Sequence, residues 1–434
     1  MKRTLYAFLC FALMMANACS DNESVTIKNN SVYDSSRNLM LIEDDTIPYN
    51  PEDYKQPFSS NEKVIAEKLS RYSVDLLEQY GSDDNLIVSP VCISLIHSMV
   101  ANFVKDNNEN SYKKSLGLDE EMEKVNSYSR KVIDYADIYK STDNDSVYSM
   151  SNKLWIDSKV PIYRSFISVA NFYKINANGV NFNDDRAIVE MGKQIDESND
   201  AKWTSQNFLQ EAKSFVSSSI LFTQKWNVKF EERTGRHTFH NANGTTSDTI
   251  SFISTTGMLY FYEAGAFYMV QIPYKDNKFS MFLVIPKRFG GFAEALEALQ
   301  VQGLSNCISK MEEKYVLLSM PKLDIETDVF YGKLENVSID RRILYTTELL
   351  NVSPAGFRLD DIYQSCRLHI DEKGTAAKAI SHDVPVIIRP PGWTTVTPPG
   401  SESPLTLWAD MPFMLFIREN TLRTILFSIS IKKI

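Results

Sequence analysis

Hydrophobic residues at helical spacing open the body of the chain. Across residues 61–80 the apolar side chains recur every three or four positions, with charged side chains between them, and Gly81 follows. This pattern predicts an amphipathic helix that ends near the glycine. Residues 91–104 are hydrophobic on almost every face, which predicts a second helix buried in the core.

Short β-rich runs separated by turns dominate the chain from residue 147 onward. They cover residues 147–156, 216–222, 258–267, 268–272, 279–285 and 315–320, with two more at 412–418 and 424–432. Such runs, bounded by turn residues, are typical of strands. Helices followed by strands, without an internal repeat, predict an α+β fold. Since no linker interrupts residues 59–434, we expect them to form one domain.

The first 18 residues have the pattern of a targeting segment. A basic start precedes an apolar run over residues 5–15, which is too short to span a bilayer. The run ends in Ala-Asn-Ala followed by Cys19, which resembles the lipobox of bacterial lipoproteins. Residues 1–18 are therefore interpreted as a lipoprotein signal peptide and Cys19 as the lipidated residue. The alternative is an ordinary signal peptide, cut before a cysteine that has no role.

Residues 19–58 are polar and contain several prolines, which predicts a flexible tether. Acidic Asp21 and Glu23 follow the cysteine and resemble the surface-export signals of some diderm lipoproteins. We expect a lipid anchor at the bacterial outer membrane, with exposure at the cell surface as a further option. The membrane contact would be through the lipid alone, since no later segment has about eighteen consecutive apolar residues.

Composition and charge exclude several classes of function. The chain has 434 residues, 43% of them hydrophobic, which is too apolar for a disordered protein. Its formal net charge of −9 makes nucleic acid an unexpected partner, because phosphate binding needs a basic surface. The five cysteines contain no Cys-x-x-Cys pair, so a four-thiolate zinc site is unsupported. We therefore expect neither a metal nor a cofactor.

No familiar catalytic motif is present. The sequence lacks Gly-x-Ser-x-Gly, His-Glu-x-x-His, Gly-x-Gly-x-x-Gly and a phosphate-binding loop. His97 lies in the apolar run and is interpreted as a core histidine, while His237 and His240 fit a strand or turn surface better than a metal pair. The remaining thiols in apolar surroundings are interpreted as inert: Cys92, Cys307 and Cys366. The sequence thus does not indicate an enzyme.

One stretch near the C-terminus breaks the β pattern. Residues 380–404 contain six prolines and two glycines. A proline has no N–H to donate to a strand ladder, so this stretch cannot be a central strand. It is predicted to be a long exposed loop, and long loops in compact domains are usually functional or disordered.

The residues before this loop resemble a known hinge. Residues 370–379 read Ile-Asp-Glu-Lys-Gly-Thr-Ala-Ala-Lys-Ala, and serpins carry a Glu-x-Gly-Thr run followed by small residues before their reactive-centre loop. Further stretches similar to serpin motifs occur in the family's order at residues 85–90, 151–156, 218–226, 271–274, 320–322 and 408–413. The resemblance extends over about residues 61–434. Two positions depart from it, since Ser218 stands where the family usually has Asn and Gln224 where it usually has Gly.

The resemblance implies a fold and a function. The fold would be α+β, with a large central mixed sheet, surrounding helices and an exposed reactive-centre loop at about residues 374–404. The function would be suicide-substrate inhibition of serine proteases, in which the cleaved loop inserts into the central sheet and traps the acyl-enzyme. Such a protein is an inhibitor rather than an enzyme, and we expect a monomer. The alternative is a non-inhibitory binding or adhesion lipoprotein on the same fold.

By the same resemblance, particular residues form the hinge: Glu372, Gly374, Thr375, Ala376, Ala377 and Ala379. Gly374 supplies backbone freedom at the bend. Thr375, Ala377 and Ala379 would share one face of an inserted strand, where large or charged side chains would oppose burial. Trp226 corresponds to a tryptophan near the point at which the hinge enters the sheet. Taken alone, Trp226 reads simply as a core aromatic residue.

The resemblance also places the scissile bond about fourteen residues beyond the hinge glycine, a strand of about 46 Å at ~3.3 Å per residue. Counting from Gly374 gives Ile388, followed by Arg389. Two alternatives remain: cleavage after Arg389, which Pro390 would hinder, and cleavage after Trp393, which would put two prolines into the inserted strand. The aliphatic residues before the bond favour an elastase-like or subtilisin-like serine protease as the partner, with a cysteine protease as a further option.

Overall fold

The computed structural model describes residues 31–44, 58–81, 83–105, 107–139, 147–195, 212–332, 339–378 and 403–434. The helices are α1 (Ser60–Gln79), α2 (Pro90–Ala101), α3 (Asn107–Ser115), α4 (Met122–Tyr139), α5 (Arg164–Phe172), α6 (Asp185–Ile195), α7 (Phe292–Gln302), α8 (Leu304–Ser309) and α9 (Ile339–Thr346). The first nine strands are β1 (Ser31–Asp34), β2 (Leu39–Ile42), β3 (Leu86–Val88), β4 (Val147–Asp157), β5 (Ile162–Tyr163), β6 (Ile175–Val180), β7 (Ser214–Lys225), β8 (Glu231–His240) and β9 (Thr246–Glu263). The others are β10 (Phe267–Pro273), β11 (Phe279–Pro286), β12 (Glu312–Pro321), β13 (Leu323–Phe330), β14 (Asp361–Ile370), β15 (Gly374–Lys378), β16 (Leu405–Trp408), β17 (Phe413–Glu419) and β18 (Ile425–Ile431).

Two large sheets organise the described part of the chain. The first has nine strands in the order β16-β12-β9-β10-β11-β17-β18-β3, with β8 paired to β9. The second, called the central sheet below, has the order β13-β14-β15-β7-β4-β6 and mixes parallel with antiparallel pairs. A small third sheet has the order β1-β2-β5. Helices and a large mixed sheet together confirm the predicted α+β class.

Helix α2 joins the two large sheets. Every residue from Pro90 to Ala101 is buried, and the helix packs against β18, β7 and β4. This confirms the prediction of a buried second helix. Pro90 occupies the first helical position, where its missing N–H has no helical partner to lose.

His97 of α2 is a core histidine, as the sequence indicated. Its ring nitrogens lie 3.0 Å from the hydroxyl of Tyr112 and 3.3 Å from that of Tyr345. Burial lowers the pKa of His97 to about 3, so the imidazole is neutral at physiological pH. Its role is to connect α2 with α3 and α9. Within the described ranges, no helix is both long and apolar enough to cross a membrane.

The structure differs from the sequence prediction in residues 31–44, which we name the strap. These residues were expected to belong to a flexible tether, yet β1 and β2 form a hairpin, and β2 pairs in parallel with β5. Leu39 is 0% exposed, and Leu41 and Ile42 are buried as well. The apolar run over residues 39–42 explains the difference, because burial of these side chains against the domain offsets the entropy of ordering the hairpin.

Gly179 of β6 lets the strap approach closely. A Cβ atom at Gly179 would lie 1.9 Å from the carbonyl oxygen of Asn38, so a larger residue would displace the hairpin. The Gly179 N–H donates to the Arg37 carbonyl at 2.6 Å, and the Asn38 side-chain amide donates back to the Gly179 carbonyl at 3.0 Å. The strap is thus hydrogen-bonded to the outer strand of the central sheet.

A substitution tests whether the strap folds with the domain. Leu39→Ala should lower the free energy of unfolding by about 2–5 kcal/mol, because it leaves a cavity at a fully buried site. The matched control is Val32→Ala on the same hairpin, where the side chain is 50% exposed; we expect a change within about 0.5 kcal/mol. Urea unfolding followed by circular dichroism measures both. Equally small effects would contradict the docking of the strap.

Candidate functional site

The hinge residues that the structure describes already form a strand of the central sheet. Strand β15 lies between β14 and β7 and is antiparallel to both. On one side Gly374 faces Lys225, and on the other Thr375 faces Ile370. The strand ends at Lys378. The hinge therefore occupies the upper part of a gap between two strands that would otherwise be neighbours.

At the other end of this gap, β14 and β7 pair directly. Their parallel register runs over four rungs, from Asp361 opposite Phe215 to Gln364 opposite Ser218. Beyond these rungs the two strands separate and β15 lies between them. Insertion of the chain more than two residues beyond Lys378 would have to open these rungs, because only residues 219–220 of β7 and 365–366 of β14 lie between the partners of Lys378 and the rung at Gln364. We call the gap between β14 and β7, of which β15 fills the upper part, the slot.

The turn from β14 into β15 is held by backbone groups and by Trp226. The Asp371 carboxylate accepts the N–H groups of Lys373 and Gly374 at 2.8 and 3.1 Å. The Trp226 indole donates to the Asp371 carbonyl at 2.9 Å, and the Trp226 N–H donates to the Lys373 carbonyl at 3.1 Å. Trp226 thus lies where the hinge enters the sheet, and it donates two hydrogen bonds to the turn before β15. The interpretation of Trp226 as a core aromatic residue did not include these hydrogen bonds.

Gly374 is required for a reason that differs from the sequence argument. We expected backbone freedom to be its contribution. In the structure, a Cβ atom at Gly374 would lie 2.1 Å from the Gln224 carbonyl oxygen and 2.9 Å from the Cα of Lys225. The glycine therefore allows β15 to approach β7, because any side chain would push the two strands apart.

Thr375 is the buried anchor of the hinge. Its side chain is 2% exposed, and the Tyr274 hydroxyl donates to its Oγ1 at 2.8 Å. The Tyr274 ring stacks on Trp226 with 4.6 Å between the ring centroids. Burial raises the pKa of Tyr274 far above its usual range, so the hydroxyl keeps its proton and remains a donor.

Tyr274 is a site residue that sequence reasoning missed. It lies within the quoted motif at residues 271–274, but nothing in the motif assigns a role to the hydroxyl. The available signal is chemical: a tyrosine in an apolar stretch needs a partner for its O–H when it is buried. The identity of that partner, Thr375, depends on contact between residues 101 positions apart.

An ion-pair cluster holds the hinge from outside the sheet. The Lys322 ammonium lies 3.0 Å from the Glu372 carboxylate and 3.2 Å from that of Glu232. Partial burial alone would lower the pKa of Lys322, but the two carboxylates outweigh it and the pKa is raised. Glu372 therefore connects the hinge to β8 and to the turn between β12 and β13.

Gln364 closes the lower end of the slot. Its side-chain oxygen accepts the Ser89 N–H at 2.7 Å and the Tyr331 hydroxyl at 2.9 Å, and its amide nitrogen donates to the Ser218 hydroxyl at 3.4 Å. Gln364 is fully buried at the last rung between β14 and β7. Sequence reasoning identified Ser218 only as a departure from the serpin pattern and did not find Gln364.

The other residues singled out in the sequence lie apart from the slot or outside the described ranges. His237 and His240 are on β8, and the part of the chain described here holds no cluster of three metal-ligating side chains. The three thiols within the described ranges are buried, and burial raises the pKa of each: Cys92, Cys307 and Cys366. Side-chain surroundings are not described for Ala377, and four predicted site residues lie outside the described ranges: Ala379, Ile388, Arg389 and Cys19.

Comparison with known proteins agrees with this arrangement. The family profile described as serpin (serine protease inhibitor) matches residues 67–430. An uncharacterized serpin-like protein of Thermococcus kodakarensis is 22% identical, with 84% of this chain and 85% of that protein covered. A serine protease inhibitor of Cyanea capillata is 21% identical over 80% of this chain and 92% of its own length.

A likeness to solved structures supports the same fold. The crystal structure of a thermophilic serpin, Tengpin, in the native state aligns with a TM-score of 0.69 and 16% identity. The alignment covers 90% of this chain and 97% of that protein. The expected serpin-like architecture, a large mixed sheet surrounded by helices, is thereby confirmed.

The contact between Tyr274 and Thr375 can be tested by removing one hydroxyl. Tyr274→Phe leaves the buried Thr375 hydroxyl without its donor, at a cost of about 1–3 kcal/mol. We expect the β15 amides to exchange with deuterium faster, by about tenfold for each 1.4 kcal/mol of local stability lost. The control is Tyr260→Phe, because Tyr260 is 47% exposed. Unchanged exchange in Tyr274→Phe would show that this contact does not hold the hinge.

Proposed function

The chain belongs to the serpin family, and we propose that it is a suicide-substrate inhibitor of serine proteases. The protease serine would attack the carbonyl carbon of Ile388, the peptide bond to Arg389 would break, and the departing amine would take up the proton. The acyl-enzyme would then be trapped when the cleaved loop inserts between β14 and β7. The observation that carries this proposal is β15, because the hinge already occupies the slot that the loop would fill.

Side-chain size in the slot supports insertion. Thr375 is buried, and Gly374 has no room for any side chain. The residues that follow on the same face are Ala377, Ala379 and Ser381, all small. A bulky or charged residue in this series would oppose insertion, since a buried charge without a partner is costly. The hinge sequence is therefore compatible with burial as far as Ser381, whereas Asp383, the next residue on this face, would bring a carboxylate into the slot and oppose burial there.

The length of the slot favours Ile388 as the scissile residue. Leu221 of β7 is the partner of Lys378, and seven more residues of β7, from Ser214 to position 220, lie beyond it on the side away from the hinge. At ~3.3 Å per residue they span about 23 Å. Ile388 lies ten residues after Lys378, about 33 Å along an extended strand. Insertion up to Ile388 would therefore carry the acyl group just past the end of the sheet. Cleavage after Trp393 would lengthen the chain between the sheet and the protease by about 17 Å.

The target class follows from the residues before the bond. Val386, Ile387 and Ile388 are aliphatic and suit the apolar specificity pockets of elastase-like or subtilisin-like proteases. A cysteine protease is the further option, and adding one to the protease panel described below would test it.

We further propose that the inhibitor is a lipoprotein of the bacterial outer membrane. The support is the leader: a basic start, a short apolar run and small residues before Cys19. Acylation of Cys19 would hold the domain near the surface that it protects from proteolysis.

A panel of serine proteases tests the inhibitory mechanism. The wild-type chain should form a covalent complex that survives SDS with at least one elastase-like or subtilisin-like protease. Thr375→Arg should be cleaved at the loop without forming the complex, because an arginine cannot be accommodated at this buried position of β15 and the strand that the inserting loop would extend would be displaced. Thr375→Ser is the matched control, since it keeps a small side chain and the hydroxyl, and it should form the complex.

Mass spectrometry of the fragment released from that complex identifies the scissile bond. The fragment should begin at Arg389, and another first residue would reassign the bond. Cleavage of the wild-type loop without any SDS-stable complex, across the whole panel, would contradict inhibition. That outcome would favour the binding or adhesion alternative.

Cell fractionation tests the anchor. Cys19→Ala should move the protein from the membrane fraction to the soluble fraction, because lipidation is the membrane signal in the sequence. The control is Cys10→Ala, which lies inside the apolar run and should leave the protein in the membrane. Retention of Cys19→Ala in the membrane would refute the lipoprotein proposal.

A further inference from the structure

The strap lies at the end of the central sheet opposite the hinge. Gly179, which contacts the strap, pairs across β6 and β4 with Ile156, and Ile156 pairs with Ser214, the first residue of β7. The hinge begins at the other end, where Gly374 pairs with Lys225, the last residue of β7. Ser214 and Lys225 are eleven positions apart along β7, which is about 36 Å at ~3.3 Å per residue. We name the end at Ser214 the far pole and the end at Lys225 the hinge pole.

The strap is fixed to the far pole along its whole length. Its turn is hydrogen-bonded to Gly179 through the Arg37 carbonyl and the Asn38 side chain. At its other end, the Asp44 carboxylate accepts the Ser165 N–H at 3.0 Å. The buried side chains of β2 lie between these two attachments. The hairpin therefore belongs to the folded body and is not part of a free tether.

The chain enters this hairpin at the far pole too. Ser31 pairs with Ile42, Ile42 is the partner of Tyr163, and the Tyr163 N–H donates to the Val352 carbonyl at 2.9 Å. Val352 is three residues before Ala355, whose carbonyl accepts from the side chain of Lys213, the residue before Ser214. Twelve residues along the chain separate Ser31 from Cys19. Twelve residues span at most about 42 Å, even when fully extended, and every folded or coiled conformation is shorter. Docking of the strap thus fixes where the chain toward Cys19 leaves the domain, and it limits how far Cys19 can lie from the domain.

We propose that the strap orients the domain on a lipid surface, with the far pole toward the bilayer and the hinge pole away from it. This inference rests on the proposed attachment of a lipid at Cys19. For the hinge pole to touch the bilayer instead, the chain before Ser31 would have to run back along about 36 Å of sheet, which nearly exhausts its ~42 Å limit. The reactive-centre loop is therefore presented to proteases arriving from the side opposite the membrane.

The orientation has a consequence for a trapped protease. Insertion of the cleaved loop would carry the acyl-enzyme from the hinge pole to the far pole. A protease domain of roughly 220 residues is about 44 Å across, while the chain before Ser31 reaches no more than about 42 Å. The trapped protease would therefore be held against the lipid surface, beside the strap.

The orientation can be measured on vesicles without relying on cellular lipidation. A chain that begins at Cys19 is coupled through that thiol to phosphatidylcholine vesicles containing a maleimide lipid; the three other cysteines of this chain are buried. A fluorophore is attached by azide chemistry at position 355 or, in a second preparation, at position 229. Ala355 and Lys229 are both exposed, the first beside Lys213 at the far pole and the second three residues beyond Trp226 at the hinge pole.

Energy transfer to a rhodamine headgroup lipid reports the distance of each position from the bilayer. We expect transfer from position 355 to be several-fold stronger than from position 229. Equal transfer from the two positions, or stronger transfer from position 229, would overturn the proposal.

Two variants show whether the strap causes the orientation. Gly179→Val should displace the hairpin, because its Cβ would meet the Asn38 carbonyl oxygen at 1.9 Å, and the contrast between the two positions should shrink. The second variant leaves the fold untouched and inserts about thirty Gly and Ser residues before Ser31, a flexible addition that should also reduce the contrast. A contrast that persists in the lengthened chain would assign the orientation to something other than the strap and would overturn the proposal.

This experiment separates the inference from the function on which it rests. Coupling through Cys19 needs neither acylation in a cell nor protease inhibition. A soluble Cys19→Ala protein together with equal transfer would defeat the inference alone. A failed protease panel, with unequal transfer, would defeat inhibition and leave the orientation standing.

Discussion

A strand can enter the gap between β14 and β7 only if it completes both hydrogen-bond ladders and buries its side chains at the same time. The hinge satisfies this constraint over β15, where a glycine meets the β7 backbone and Thr375 finds a hydroxyl partner. The rest of the site follows from the same constraint. Trp226, Tyr274 and the turn at Asp371 hold the first residues of β15, so that in the proposed insertion each later residue would meet a ladder already in register.

The slot is held at both ends by interactions of different kinds. At the hinge pole the contacts are a stacked aromatic pair, a buried hydroxyl pair and the ion pairs of Lys322. At the lower end Gln364 connects β14 with Ser89 and Ser218, and the four rungs of direct pairing would have to open for the chain to insert more than two residues beyond Lys378. In the proposed mechanism, insertion of the cleaved loop would open the four rungs and complete two longer ladders, while the contacts at the hinge pole would stay in place. Each hydrogen bond among these contacts contributes about 1 kcal/mol to stability.

The strap makes the two ends of the central sheet different, because the chain toward Cys19 leaves the domain at only one of them. The hinge and the strap lie at opposite ends of β7, and the chain toward Cys19 leaves from the strap. A lipid anchor on a long tether would leave the domain free to turn in any direction. Because residues 31–44 are folded onto the body, a lipid at Cys19 would be joined to it by only twelve residues, and the proposed orientation follows from that short connection.

Local pattern was enough to predict the parts of this protein whose structure depends on near neighbours along the chain. The uniform hydrophobicity of α2 predicted its burial, the β-rich runs predicted most strands, and the small residues of the hinge pointed to a strand that can be buried. The tertiary structure alone decided which distant residues meet. Neither the contact of Gly374 with Gln224, nor that of Thr375 with Tyr274, nor the bridging role of Gln364 can be seen until the neighbours of β14 and β7 are known. The docking of the strap was decided in the same way, because four apolar residues become a buried strand only where Gly179 leaves room for them.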